Sequence, residues 1–344
     1  MLKLSSHQNI PPLQQHYWPP VNYFDGFSQD FKTLFRLSSD AQHHFLNGLR
    51  KESERYGQFL HEALATIYAY SLGYQDSPCY LKTDESLERQ LLSMKLVLET
   101  ELLQHDLPMP TFPQGLSQQD AAEYLRVLLI NNSSLSHPLF EYLETAPESV
   151  LLVFLQQEVM RNEVVDDEVS LLVAGLQGPM KIAVTSNLWD ECGHGRLINA
   201  HTYWLRRILE KTNNWKNLTD YRRVSPWFSK IASNVFLMLL TRPGLKLSAY
   251  GYFLVSESLV PPHFEKILAG LKRVGMTQED ITIYFDAHLK IDKYHGQDLL
   301  DAVSHQKPAL TQPEIELILL GAHFHITAST KQYSQMLSYL SSLQ

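Results

Sequence analysis

The strongest chemical signal in the sequence is the motif His288-x3-Asp292-x2-His295. On a helix, which turns by about 100° per residue, the two histidines differ by about 20° in direction, and Asp292 lies between them on the same face. Their Cα atoms are then roughly 10 Å apart, which suits two metal ions about 4 Å apart better than one tetrahedral ion. The spacing therefore favours a dinuclear site, with a hydrogen-bonded polar stripe that binds no metal as the alternative.

A second candidate segment contains Glu191 with two histidines after it, His194 and His201. Wheel geometry does not choose between them, because His194 is three residues away and His201 is roughly 80° off in an ideal helix. Gly193 and Gly195 each weaken a helix by about 1 kcal/mol, which indicates a kink or the close approach of another group. The alternative is that these glycines permit tight helix crossing and the histidines lie at the surface.

A third candidate is Glu257, which lies inside the apolar run 252–260. A carboxylate in such a run is costly unless it is paired or bound to a metal. A contact with the end of a neighbouring helix would explain it equally well.

Taken in order, these residues resemble the haem-oxygenase-like di-iron oxidases and oxygenases, an iron-containing redox enzyme family. The resemblance spans about residues 135–335 and rests on Asp190-Glu191-x-Gly193-x-Gly195-x5-His201, on the lone glutamate, and on the His-x3-Asp-x2-His motif. It implies a helical bundle like haem oxygenase that holds two Fe2+ ions and no haem. The ligands it implies are Glu191, His201, Glu257, His288, Asp292 and His295.

The resemblance also implies where the ligands lie. Glu191 and His201 would share one core helix, Glu257 would lie on the next, and the last motif on a third. His194 is a substitute candidate, because some members use a histidine three residues after the first glutamate. Glu158 is the candidate for the further upstream carboxylate that some members use.

The chemistry follows from the ligand types. Mixed imidazole and carboxylate donors suit iron or manganese, and outer groups such as Asp190 or Tyr294 can orient the histidine rings. The resemblance implies oxidation of a small organic substrate with O2 as cosubstrate and a reductant that the sequence does not identify. Family reactions include N-oxygenation, oxidative C–C cleavage and decarboxylation, and nothing here selects among them or between Fe/Fe and Fe/Mn.

The elements that position these residues are predicted to be helices, because apolar residues recur at 3–4 spacing and strand signals are nearly absent. The fold class is therefore all-α. Residues 108–115 hold three prolines and a glycine and cannot continue a helix. This break predicts an N-terminal helical extension at 1–115 and a haem-oxygenase-like di-iron domain at 116–344. The extension lies outside the resemblance, and it either roofs the site or forms a homodimer interface.

Within the second domain, Pro261 and Pro262 are expected to separate two helices. The helices are predicted near 118–131, 137–144, 148–162, 165–192, 196–213, 225–240, 246–258, 262–274, 277–306 and 313–340.

Composition excludes several classes of protein. The 29 basic and 37 acidic residues give a net charge of −8, which offers no electrostatic footprint for nucleic acid. Apolar stretches are too short for a membrane span, and the N-terminus has no export signal. Two cysteines form no disulfide framework, so a cytoplasmic protein is expected. Walker, G-x-S-x-G and H-E-x-x-H motifs are absent.

Two other interpretations stay open at this point. The first is a metal-independent helical enzyme of the thiaminase or pyrroloquinoline-quinone-synthesis type, in which the same residues do acid–base work. The second is a non-catalytic helical interaction protein that docks a partner through its N-terminal extension. Neither needs the six candidate ligands at once, so metal dependence separates them from the di-iron interpretation.

Overall fold

The computed structural model describes residues 28–74, 77, 85–133, 137–212 and 225–343. The side chains of Ser39, Ser133 and residues 291–293 lie outside that description.

All regular secondary structure in the described residues is helical, which confirms the all-α prediction. The N-terminal part contains α1 Gln29–Arg36, α2 Ser39–Leu49, α3 Ser53–Leu72 and α4 Glu85–Glu101, which continues into a π-helical turn at Leu102–Asp106. The next helices are α5 Gln118–Ser133, α6 Pro138–Thr145, α7 Glu148–Asn162, α8 Val165–Val173, α9 Gly178–Glu191 and α10 His201–Lys211. The last are α11 Ile231–Thr241, α12 Lys246–Arg273, α13 Glu279–Ser304 and α14 Gln312–Ser341.

The single helix predicted at 165–192 is wrong, because the chain breaks between α8 and α9. Gly175 has a φ of 87° there, a left-handed conformation that ends a helix. The predicted helix at 196–213 begins only at His201, and the one at 225–240 begins at Ile231 after a 3₁₀ turn at Trp227–Lys230.

The predicted break at Pro261 and Pro262 is also wrong, because α12 continues through both prolines. Each proline lacks the N–H that would bond to the carbonyl four residues earlier. Helical geometry persists because buried side chains on both sides of the pair, such as Leu259 and Phe264, hold α12 in the core. Tertiary packing here outweighs the local cost of the prolines.

The core is built around the crossing of α12 and α14, which is the most extensive helix contact. A side chain at Gly251 would overlap the carbonyl of Ile318, and one at Gly321 would overlap the carbonyl of Ser248. The two backbones therefore touch where neither helix carries a side chain. On the next face, α13 packs along α12, and α9 and α10 both pack on α13.

The N-terminal helices pack on the rest of the chain mainly through α3, which contacts the 3₁₀ turn at Trp227–Lys230 and α11. The indole of Trp227 donates a 2.7 Å hydrogen bond to Glu54 on α3. Asp106 in the π-helical turn pairs with Lys331 on α14 at 2.7 Å and lies 3.2 Å from the buried His61 ring. These contacts join the first four helices to the central pair.

No helix among the described residues is long and apolar enough to span a membrane.

Candidate metal centre

Three buried side chains from three helices converge between α9, α10 and α13. Glu191 is the last residue of α9, His201 is the first of α10, and His288 lies in α13. One donor atom from each lies within 4.8 Å of the others. Because an ion held at about 2.1 Å spans donors up to about 4.2 Å apart, small side-chain adjustments would let one ion contact all three.

The contact between Glu191 and His201 has the geometry of two ligands rather than of a hydrogen bond. His201 Nδ1 lies 2.8 Å from Glu191 Oε2, yet this fully buried nitrogen has no partner that it can reach in hydrogen-bond geometry. Two donors at right angles on one ion lie about 3 Å apart. The buried nitrogen is therefore oriented as a metal ligand would be.

His288 is held in the tautomer that suits a ligand. Its Nδ1 lies 2.6 Å from the carbonyl oxygen of Tyr284, one turn earlier in α13. A carbonyl can only accept, so Nδ1 carries the proton and Nε2 keeps its lone pair. This arrangement fixes the imidazole before any ion binds.

The segment between Glu191 and His201 is a loop with two 3₁₀ turns, Gly193–Gly195 and Leu197–Asn199. The expectation that Glu191 and His201 share one helix is therefore wrong. Gly193 has a φ of 59°, and a side chain there would overlap the backbone of Ala200, so the predicted close approach at this glycine is confirmed. The sharp turn brings the two side chains together across ten residues.

A second group lies beside the first. Glu257 on α12 and His295 on α13 are both buried, and His295 Nδ1 lies 3.7 Å from Glu257 Oε2. The two helices can approach closely because Gly296 has no side chain. A Cβ at this position would press against Ser258 on the neighbouring helix. Glu191 and Glu257 line the wall of one cavity, so the two groups adjoin.

Two residues of α9 hold this second group in place. Asp190 Oδ2 accepts a 2.7 Å hydrogen bond from His295 Nε2, as expected for an orienting residue. Asn187 is fully buried and donates a 2.9 Å hydrogen bond to Glu257 Oε2. Sequence reasoning missed Asn187, although its spacing of four residues before Glu191 puts both on one helix face.

The remaining candidates have different positions. The backbone of Asp292 belongs to α13, but its side chain lies outside the described residues. His194 has a φ of 53°, is exposed, and contacts the other oxygen of Asp190, away from the three-residue group. Glu158 accepts a 2.9 Å hydrogen bond from Asn162 and lies outside that group also. Tyr294, the other suggested orienting residue, is 66% exposed.

The carboxylates beside the histidines are held in the ionised form. Burial alone would raise the pKa of Glu191, but the nearby His201, His288 and His295 rings outweigh it and lower that pKa. Burial likewise opposes ionisation of Asp190, and the hydrogen bonds from His194 and His295 bring its pKa below the ordinary value. An ionised carboxylate is the donor form that metal binding requires.

A cavity opens next to the candidate ligands and encloses about 900 Å³, including the space at its mouth. Glu191, Glu257 and His288 line part of its wall, while Glu158 and Arg161 line another part. Aromatic side chains form much of the rest: Phe140, Phe236, Tyr252, Phe253, Phe264, Tyr284 and Tyr333. A mostly aromatic wall with a few polar groups is typical of pockets that take small organic molecules.

Comparison with known proteins decides the family. The family model described as iron-containing redox enzyme matches residues 152–328, just over half of the chain. The chain belongs to this iron-containing redox enzyme family. Its helices form the haem-oxygenase-like fold of that family, as the sequence predicted. The matched region includes all six candidate ligands, namely Asp292 and the five whose side chains the structure describes.

Solved structures resemble the chain in fold. A CADD-like protein of unknown function from Nostoc punctiforme, with crystal structures at 2.00 and 1.35 Å resolution, has 15% sequence identity to this family member. The TM-scores are 0.51 and 0.50, and the matches cover 63% and 65% of this chain and 97% of that one. No curated protein matches the sequence significantly.

Proposed function

We propose that this chain is a non-haem di-iron oxidase or oxygenase that uses two Fe2+ ions and O2 to oxidise a small organic substrate. The observation that carries the proposal is the buried Glu191–His201–His288 group with its short, non-hydrogen-bonded Nδ1 contact. Membership of an iron-containing redox family supports iron as the metal. The adjoining Glu257–His295 pair supports a second ion.

Glu191, His201, His288, Glu257 and His295 would hold the two Fe2+ ions, which would supply electrons for the reduction of O2. The chain contributes ligand atoms that are already oriented: His288 by the Tyr284 carbonyl and His295 by Asp190. Glu191 and Glu257 are buried, and buried carboxylates interact with bound cations more strongly than carboxylates in water do. The aromatic wall of the cavity gives an organic substrate an apolar surface beside the ions.

The proposal is tested by loading the full-length chain with Fe2+ without oxygen, counting bound iron, and then measuring O2 consumption. We expect about two irons per chain. His288→Ala and His295→Ala should each lose one iron or more, and Asp292→Ala should lose at least one, because each removes one donor of a small set.

His194→Ala is the matched control, since this exposed histidine lies beside the site without joining the ligand group. It should bind iron like the unchanged chain. Iron uptake that is the same in His288→Ala, His295→Ala and the unchanged chain would refute the di-iron assignment and favour metal-independent acid–base chemistry.

A further inference from the structure

The cavity wall contains a guanidinium that the protein leaves mostly without acceptors. Arg161 on α7 is 15% exposed and donates one 3.0 Å hydrogen bond, from a terminal nitrogen to Glu168 Oε2. Arginine has five N–H donors, and within the described residues this is its one hydrogen bond. A buried guanidinium in this state is suited to a further anionic acceptor with two oxygens.

Two more polar groups that form no hydrogen bond with a described residue face the same cavity from α14. His325 is 6% exposed, and its ring packs edge-on against Tyr252 with 4.7 Å between the ring centroids. Its buried Nδ1 forms no hydrogen bond with a described residue. The Tyr333 hydroxyl likewise makes no hydrogen bond to a described residue, and the charge of Arg161 acts on both side chains. An unsatisfied buried polar atom such as His325 Nδ1 is rare in folded proteins and requires an explanation, of which a bound polar group is one.

The charges around Arg161 leave room for an anion. Glu168 already pairs with it, so the two together are neutral. Glu158, one turn earlier on α7, also lines the cavity, but burial raises its pKa to about 7 and Asn162 donates to it. Among the described residues it forms no ion pair with Arg161, so it does not take up the remaining donors of the guanidinium.

We propose that Arg161, together with His325 and Tyr333, binds an oxyanion group of the substrate, a carboxylate or a phosphate. This assignment rests on the proposed function, because the same cavity holds the candidate metal ligands Glu191 and His288. The arginine fork would hold the anion, the tyrosine hydroxyl would donate a further hydrogen bond, and the rest of the substrate would extend along the aromatic wall towards the ligands.

The test measures binding of benzoate, benzamide, benzylamine and inorganic phosphate to the full-length chain after metal removal, by calorimetry and by thermal shift. Without metal, an anion that binds cannot be bound by iron. Benzoate should bind at least tenfold more tightly than the neutral benzamide and the cationic benzylamine. Stronger binding of phosphate than of benzoate would identify phosphate as the group that is recognised.

The variant is Arg161→Met with Glu168→Gln, so that no unpaired charge stays buried. It should weaken binding of the preferred anion at least tenfold, and Tyr333→Phe should weaken it several-fold. The matched control is Arg206→Met with Glu163→Gln, which removes the 2.9 Å pair between α10 and the end of α7. It should change anion binding less than twofold.

Preference for benzylamine, equal binding of benzoate and benzamide, or anion binding that does not depend on Arg161 would each overturn the oxyanion site. Portions of the same preparations are reloaded with Fe2+ and their bound iron is counted. Thermal unfolding checks that each variant folds. If the unchanged chain holds two irons but binds none of the anions, this inference alone is contradicted, whereas absence of iron in the unchanged chain would contradict the proposed function alone.

Discussion

Asp190 contacts two histidines through its two carboxylate oxygens, and these histidines differ in position. His295 is buried beside Glu257, while His194 faces solvent. A carboxylate that accepts from the outer nitrogen of a ligand histidine fixes the ring and raises its basicity. Asp190 is therefore a positioning residue for His295, and its effect should appear in metal affinity.

We expect Asp190→Asn to weaken iron binding about 10- to 100-fold with little loss of fold, the range usual for such outer contacts. The measurement is an anaerobic Fe2+ titration of the unchanged chain and the variant, with circular dichroism as a check of helix content. The amide keeps the size of the side chain, so the change isolates the charge and the acceptor.

Asp298→Asn is the control for this prediction, because Asp298 is an exposed carboxylate on the same helix as His295. Its iron affinity should stay within twofold of the unchanged chain. If Asp190→Asn titrates like Asp298→Asn, the hydrogen bond to His295 has no part in metal binding.

At the scale of elements, the loop between α9 and α10 decides whether Glu191 and His201 can meet. Gly193 and Gly195 both have positive φ, 59° and 74°. A side chain at Gly193 would overlap the Ala200 backbone, whereas one at Gly195 would contact the Trp189 ring at an ordinary 3.6 Å. Substitution of Gly195 would therefore cause backbone strain alone, whereas substitution of Gly193 would cause backbone strain and steric overlap.

We expect Gly195→Ala to cost about 1–2 kcal/mol, the usual penalty for a left-handed residue with a Cβ. Gly193→Ala should cost at least about 1 kcal/mol more and should reduce iron binding, because the overlap pushes α10 and His201 away from Glu191. Urea unfolding and iron titration of both variants provide the test. Equal costs in the two variants would mean that the loop yields freely at Gly193.

Many of the helices could be predicted from sequence, because the periodicity of apolar residues and the positions of prolines depend on local structure. The predicted helices at 148–162 and 277–306 match α7 and α13 closely. The break at Pro261 was predicted wrongly because the sequence does not show how strongly α12 packs between its neighbours. Residues 196–200 were predicted as helix but belong to the loop, because the glycines signal a kink without giving its size.

The candidate ligands could be proposed from sequence, but the contacts that orient them could not. Residue types and order indicated Glu191, His201, Glu257, His288 and His295, and the structure brings these side chains into two adjoining groups. The partners that orient them come from distant parts of the chain, as with Asp190 and His295, which lie 105 residues apart. Contacts of that kind depend on helix packing, which a single sequence does not encode locally.

For the whole molecule, groups whose pKa is lower in the folded chain than in the unfolded chain contribute to the response to acid. Burial, then the charges of Arg161 and His263, lowers the pKa of His325 from 6.5 to about 3. Asp106 acts in the same direction at lower pH, because its contacts with His61 and Lys331 outweigh burial and bring its pKa to about 2. Both shifts favour the folded chain at neutral pH over acidic pH.

The contribution of His325 can be isolated. Between about pH 6.5 and pH 3, the unfolded chain binds a proton at this histidine and the folded chain does not, so stability is full above pH 6.5 and falls as the pH drops. The slope is up to about 1.4 kcal/mol per pH unit for one such group. His325→Phe, which keeps an aromatic ring against Tyr252, should therefore unfold with a shallower pH dependence between pH 6.5 and pH 4.

Urea unfolding of the metal-free chain at pH 7, 6, 5 and 4 measures that slope. The control is His43→Phe, because it removes an exposed histidine and leaves the buried His325 in place. The unchanged chain and this control should lose stability in parallel, while His325→Phe loses less by an amount that grows as the pH falls. If all three chains lose stability in parallel, His325 takes up its proton in the folded state. Water in the cavity would then reach the ring, contrary to what its burial indicates.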